Sequence, residues 1–241
     1  AQRLTSWYER GYMAVDGIVF DVGIQTRKAI GMLRAGETSG PATERDNGNG
    51  SLMGVLPLAL WHTGSDEALA LDAHAQSKVT HGHPRSQVCC ALYCLWARYT
   101  LEEDSAPWET AVEALRGVYA VRPVHGAELE ALLRVDVQPT GTGYVVDCLL
   151  SARAVLEAST YKNIVKAAVA FGNDTDTTAC VAGGMAGVRH GLAGIPTRWL
   201  AKLRGAVRPP INEHAQAGEP GFDVAKVNVR GVRVDRHEAN P

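Results

Sequence analysis

The sequence lacks the features that would place it in a membrane, on nucleic acid or in a disulfide scaffold. It has no apolar run of about eighteen residues, the length a bilayer-spanning helix needs. The opening residues Ala1-Gln2-Arg3-Leu4-Thr5-Ser6 lack the apolar stretch of a secretory leader. The formal net charge is -2, which leaves no basic field for nucleic acid or an anionic membrane. The five cysteines, Cys89, Cys90, Cys94, Cys148 and Cys180, show no CxxC spacing and sit in apolar, helix-like runs. Reduced core cysteines in a cytoplasmic protein are the expectation. Alternating strand patterns are almost absent before residue 220, and no fixed-period repeat occurs. What is present is an ordinary soluble composition, 46% hydrophobic and 21% charged. Its 241 residues suffice for one large domain plus an appendage.

Helical periodicity runs nearly throughout and predicts an all-α body over residues 7–203. After Pro84, Val88, Ala91, Leu92, Leu95, Trp96 and Tyr99 recur at three- and four-residue spacing. Ser105 stands where a cap belongs, ahead of Pro107 and a second periodic face from Trp108 to Tyr119. Further helices are predicted over 66–77, 126–134, 144–158, 161–171 and 175–190, with a short one opened by Pro196. Trp7, Trp61, Trp96, Trp108 and Trp199 fall in helical runs and read as core or near-core. The division expected is a helical domain over 1–205 and a polar tail over 206–241. In that tail Val227, Val229, Val232 and Val234 alternate with polar residues, as a short hairpin or the start of a truncated domain would.

Three loop segments carry chemistry. Gly172-Asn173-Asp174-Thr175-Asp176-Thr177-Thr178-Ala179 closes one helix and opens another, with Asp174, Asp176 and Thr177 within four residues. Their oxygens suit a hard divalent cation; the alternative is a helix cap by Asp174 or Thr175. The helix that follows is small on nearly every face, which suits close helix approach. Asp46-Asn47-Gly48-Asn49-Gly50-Ser51 could cradle phosphate oxygens on backbone N–H groups, or be a plain turn with Asp46 as its initiator. His81 and His83 flank Gly82 before Pro84, as metal ligands, ligand contacts or a cap for that helix.

The run 172–179, continuing through Ala182-Gly183-Gly184-Met185-Ala186-Gly187 to Gly194-Ile195-Pro196 and Trp199-Leu200, resembles the C-terminal metal motif of the ADP-ribosylglycohydrolase family. Three segments match in the family's order: Phe20-Asp21-Val22-Gly23 with Thr26-Arg27; Asn49-Gly50-Ser51-Leu52-Met53 with Val55-Leu56-Pro57-Leu58; and Thr80-His81-Gly82-His83-Pro84-Arg85. The resemblance implies helices packed around a site for two Mg²⁺ or Mn²⁺ ions. It implies Asp174, Asp176 and Thr177 as metal ligands and Asp46 and Asp176 as catalytic carboxylates. It places Asn49, Gly50, Ser51, Met53, His81, His83 and Tyr144 around the substrate. Eight of these, Asn49, Gly50, Ser51, His81, His83, Tyr144, Asp174 and Asp176, are expected to line one cleft. The substrate implied is an ADP-ribosylated protein, arginine being one acceptor, or a small ADP-ribosyl compound.

The sequence departs from the family in two places. The Gly-rich first helix and the Thr-Asp-Asp-Thr segment that complete the metal shell have no counterpart between Ala1 and Arg45, where Asp16 and Asp21 are isolated. One weakly held ion, or none, is the expectation unless a partner chain or an N-terminal segment completes the site. Gly54 stands where the family often has Arg. Two classes of function therefore remain: a hydrolase of the ADP-ribosyl bond, and a non-catalytic ADP-ribose-binding or structural relative.

Overall fold

The computed structural model describes residues 1–136 and 138–203. The tail, with its expected hairpin, lies outside the described residues. Eleven α-helices occur in the described part: α1 Gln2–Arg10, α2 Ile24–Arg34, α3 Leu56–Trp61, α4 Asp66–Lys78, α5 Pro84–Leu101, α6 Pro107–Tyr119, α7 Pro123–Leu133, α8 Val145–Val155, α9 Tyr161–Ala170, α10 Thr175–His190 and α11 Thr197–Leu200. Among the described residues there is no strand, only an isolated antiparallel bridge between Gly48 and Tyr144. The all-α expectation is met. Among the described residues no helix is long and apolar enough to cross a membrane.

The core is organised around α5. Every residue from Ser86 to Ala97 on this helix is buried. A helix apolar on all sides belongs in the interior, and α5 packs against α3, α4, α6, α7, α8 and α10. Pro84 sits in the first turn, where its missing N–H has no partner to lose, and the His83 ring accepts the N–H of Arg85 at 3.1 Å. α6 shows the amphipathic alternative, burying Trp108, Ala111, Val112, Leu115 and Tyr119 along one stripe.

Several local expectations are corrected. Ser105 caps nothing; the carboxylate of Asp104 takes the N–H of Ala106 at 2.7 Å and the hydroxyl of Thr110 at 3.1 Å instead. α7 begins at Pro123, three residues before the predicted start, because Pro is favourable in a first turn. α8 begins and ends inside its predicted span, at Val145 and Val155. Trp96 and Trp108 are buried, but Trp61 is 55% exposed at the end of the short α3. Four cysteines are buried, whereas Cys180 is exposed.

α10 meets the expectation of close approach at one position. A Cβ on Gly184 would lie 2.7 Å from Leu56 Cδ2 and 2.8 Å from the Tyr93 hydroxyl, which donates to the Val181 carbonyl. A Cβ on Gly187 would meet nothing within 4 Å. Gly184→Val is therefore expected to destabilise by about 1–3 kcal/mol through overpacking. Gly187→Ala is expected to stabilise by about 0.5–1 kcal/mol through helix propensity alone. Urea unfolding of both variants checks the pair; equal effects at the two positions would refute it.

Candidate active site

Two loops and one helix start converge beside α5. The backbones of the first loop, 46–51, and the second, 140–144, are stitched together. Asn49 N–H donates to the Gly143 carbonyl and Val145 N–H to the Asn47 carbonyl, each at 3.0 Å. The second loop reaches the start of α10, where Asp174 N–H donates to the Gly141 carbonyl at 2.8 Å. The triangle closes through side chains: Asn49 Nδ2 donates to Asp174 Oδ2 at 2.7 Å across 125 residues of sequence. Asp174 occupies the N-cap position of α10 but makes no cap bond with its side chain. The cap alternative is therefore set aside; this carboxylate is turned to the loop rather than to its own helix. Asp176 is exposed and Thr177 buried, both in the first turn.

His81 joins this group through the glycines. A Cβ on Gly50 would lie 3.0 Å from His81 Cε1, and one on Gly48 would lie 3.5 Å from His81 Nε2. The ring is thus packed under the loop, with Nδ1 at 2.8 Å from the Thr80 hydroxyl. The glycines make room for this ring. Two of the N–H groups expected to cradle phosphate already have acceptors: Gly48 N–H on Gln25 Oε1 at 3.1 Å and Asn49 N–H on Gly143. Ser51 is likewise buried, its hydroxyl within 3.0 Å of the Ser77 hydroxyl and 3.4 Å of Cys90 Sγ. Met53 is half-exposed and Tyr144 is 41% exposed at the rim.

His83 stands in a cluster with Glu44, Glu128 and Arg85. Its Nε2 lies 3.2 Å from Glu44, and one ligand atom from each of Glu44, His83 and Glu128 falls within 4.8 Å of the others. Because His83 Nδ1 accepts a backbone N–H, the neutral ring carries its proton on Nε2 and donates it to Glu44. Arg85 bonds both carboxylates, with Nε on Glu128 at 2.8 Å and one NH on Glu44 at 3.1 Å. The trio reads as an ion-pair network that fixes the start of α5. Asp46 is also committed: Oδ2 accepts from Thr43 N–H at 3.0 Å and from the Thr43 hydroxyl, and Oδ1 lies 3.3 Å from Lys28. The Thr43 hydroxyl leads the contacts that hold the Asp46 carboxyl below the usual range. A carboxylate so occupied is a poor proton acceptor, and it closes its turn backward onto Thr43 rather than initiating one.

Burial sets the protonation of His81 and His74. It lowers the pKa of His81 to about 4 and, with His125, Arg122 and Lys78 adding to it, that of His74 to about 3. The unfolded chain binds protons at both rings below about pH 6.5, where the folded chain does not. Stability is therefore expected to fall as pH drops from about 6.5 toward those folded values, by up to ~1.4 kcal/mol per pH unit for each ring. His74→Gln should flatten that slope between about pH 6 and pH 4.5 by nearly one proton's worth. Urea titrations across the range would refute this by giving parallel slopes.

Residues that the sequence reading missed also position the site: Gln25, whose amide ties Gly48 and the Asp46 carbonyl, and Ser77, Arg85 and Asp147. No local pattern marks them, because each acts on a segment distant in sequence or on a backbone atom. Cys148 lies beside Asn49 and Asp174, but burial pushes its thiol up to about 12, so it packs rather than reacts.

Fold and site together define a helical scaffold with an acidic helix start tied to a Gly/Asn loop. A profile of the ADP-ribosylglycohydrolase family matches residues 1–227, and the chain belongs to that family. It is 32% identical over 213 residues to an ADP-ribosylarginine hydrolase of Pseudomonas putida, covering 84% of this chain and 55% of that protein. It is 30% identical over 199 residues to an ADP-ribosyl-dinitrogen reductase glycohydrolase of Rhodospirillum rubrum, covering 82% and 65%. A solved ADP-ribosylglycohydrolase-related protein complex superimposes with a TM-score of 0.63 at 27% identity, covering 84% of this chain and 67% of that one. The chain thus spans a little over half to about two thirds of the length of these curated relatives.

Proposed function

We propose that this chain carries a substrate- and metal-binding part of an enzyme that hydrolyses the bond between ADP-ribose and an acceptor side chain, arginine being the acceptor favoured. The observation that carries the reading is the Asn49–Asp174 hydrogen bond, which fastens the Gly/Asn loop to the acidic start of α10. Family membership and the names of the relatives supply the reaction class.

The donor set fits a hard divalent cation. Asp174, Asp176 and Thr177 offer only oxygen, which suits Mg²⁺ or Mn²⁺ over zinc. Three side chains supply about half of an octahedral shell, leaving the rest to water, substrate or other carboxylates. A bound ion of this kind would polarise a ribose hydroxyl and lower the pKa of a water molecule. The protein's part is then as follows. Asn49 holds Asp174 in place. Asp176, exposed at the helix start, accepts the proton of the attacking water. Water oxygen bonds to the anomeric carbon as the bond to the guanidine nitrogen breaks; the bonding electrons return to that nitrogen, which takes up the proton that Asp176 received from the water. Asp46 is assigned to holding its loop, on the strength of its Thr43 and Lys28 partners.

Calorimetric titration with Mn²⁺, run beside release of ADP-ribose from an ADP-ribosylated arginine protein, tests the reading. The expectation is Mn²⁺-dependent release that disappears with Asp176→Ala. Binding of ADP-ribose without release would support the non-catalytic alternative, which the short donor set favours. No binding of either would refute both.

A further inference from the structure

We infer that Asp147 is a positioning residue for this site, acting through the 140–144 loop, an inference that rests on the reading of Asn49 and Asp174 given above. Asp147 stands at the third position of α8, where an acidic residue commonly reaches back to the N–H of its own N-cap. It does not do so here. Tyr144 N–H, the N-cap donor, lies 3.4 Å from the Thr142 hydroxyl. Asp147 reaches further back and gathers four donors: Thr140 N–H at 2.9 Å on Oδ1, and Thr142 N–H at 2.5 Å, the Thr142 hydroxyl at 2.8 Å and the Thr140 hydroxyl at 3.4 Å on Oδ2. Burial alone would raise its pKa, yet these donors hold it below the ordinary carboxylate value, so the clamp is charged at neutral pH.

The clamped loop has little other freedom. Gly141, between the two threonines, has φ of 70°, and a Cβ there would lie 2.6 Å from Phe171 Cβ. Its N–H donates to Ser151 Oγ at 2.9 Å. The N–H groups of Thr140, Gly141 and Thr142 thus face α8, while carbonyls of the loop serve the site. The Thr140 carbonyl accepts from Asn173 Nδ2 at 2.9 Å. The Gly141 carbonyl accepts from Asp174 N–H at 2.8 Å and from the Thr178 hydroxyl at 3.4 Å, and the Gly143 carbonyl from Asn49 N–H at 3.0 Å. Both partners of the Asn49–Asp174 bond are therefore fixed by the loop that Asp147 fixes. A charged acceptor of four donors is the one group here whose neutralisation would loosen both at once.

The test uses the full chain. Asp147→Asn leaves the shape but replaces one acceptor oxygen with a donor. Two readouts are taken: the side-chain amide signal of Asn49 in nitrogen–proton NMR, assigned by its loss in Asn49→Asp, and the affinity for ADP-ribose in the presence of Mn²⁺. The Asn49 signal is expected to shift or broaden, and affinity to fall at least about tenfold, the loss typical of removing a group that orients a ligand-binding residue. Thr142→Val removes one donor and guards against loss of the fold in Asp147→Asn; Thr142→Ser should restore the parent behaviour. Val112→Ala, a core change on α6, controls for general destabilisation. The inference is overturned if the Asn49 signal keeps its parent position in the folded Asp147 and Thr142 variants, or if Val112→Ala moves it as far. If the parent chain does not bind ADP-ribose, the function reading fails, and the Asn49 signal still decides the role of Asp147.

Discussion

On the proposed metal-dependent reading, Asp174→Ala is expected to reduce ADP-ribose release by roughly two to three orders of magnitude, since an ion held there would supply several kcal/mol of transition-state stabilisation. The same change removes the acceptor of Asn49 Nδ2, a donor on a residue only 8% exposed. Leaving that group unpaired costs about 1–3 kcal/mol, so alanine should lower stability as well as activity. Asp174→Asn separates the two effects. Its carbonyl oxygen can still accept from Asn49, so stability should stay near the parent while the charge that attracts a cation is gone. Added Mn²⁺ should raise the Tm of the parent by mass action and leave that of either variant unchanged. Thermal unfolding with and without Mn²⁺, beside the release assay, reads both. An Asp174→Asn chain that keeps most of the parent's activity would remove Asp174 from the metal-binding role.

The largest effect on folding is expected from Trp108→Ala, at about 3–5 kcal/mol, a large share of the 5–15 kcal/mol that domains typically hold. Trp108 is 6% exposed and meets Trp96 edge-on, with ring centroids 5.0 Å apart at 89°. Arg153 lies over its outer face at 4.4 Å, but this guanidinium is 45% exposed and also pairs with Glu109. At such a site the cation–π contact is worth only about 0.5–1 kcal/mol, so burial of the indole decides the outcome. A fall in Tm on the order of 10 °C is expected for Trp108→Ala, and a few degrees at most for Arg153→Ala. Comparable shifts in the two variants would mean that the cation contributes as much as burial of the ring.

Much of the fold was legible because helices announce themselves locally. α10 was predicted over the residues it occupies, and α5 from the position of Pro84, since periodicity, first-turn proline and loop composition are properties of neighbouring residues. A cap assignment failed where an acceptor outside the pattern prevailed: Asp104 took the role expected of Ser105, although α6 begins at Pro107 as read. In the site, the residue types at Asn49, Asp174 and His81 were readable, but not which partners they chose. The Gly48 and Gly50 positions illustrate the limit: small residues signal close approach, yet the sequence does not say whether a phosphate or the ring of His81 is what approaches.

The sequence by itself determined that this chain is helical, that α5 carries apolar residues at helical spacing, and which segments hold oxygen, amide and imidazole groups. Those properties follow from spacing along one helix and from side-chain chemistry. Tertiary structure alone decided that Asn49 would meet Asp174 across 125 residues, that Asp46 would be taken by Thr43 and Lys28, and that Asp147 would clamp the loop joining them. A hydrogen bond requires its partners within about 3 Å, and only the packing of distant segments on α5 brings those groups that close.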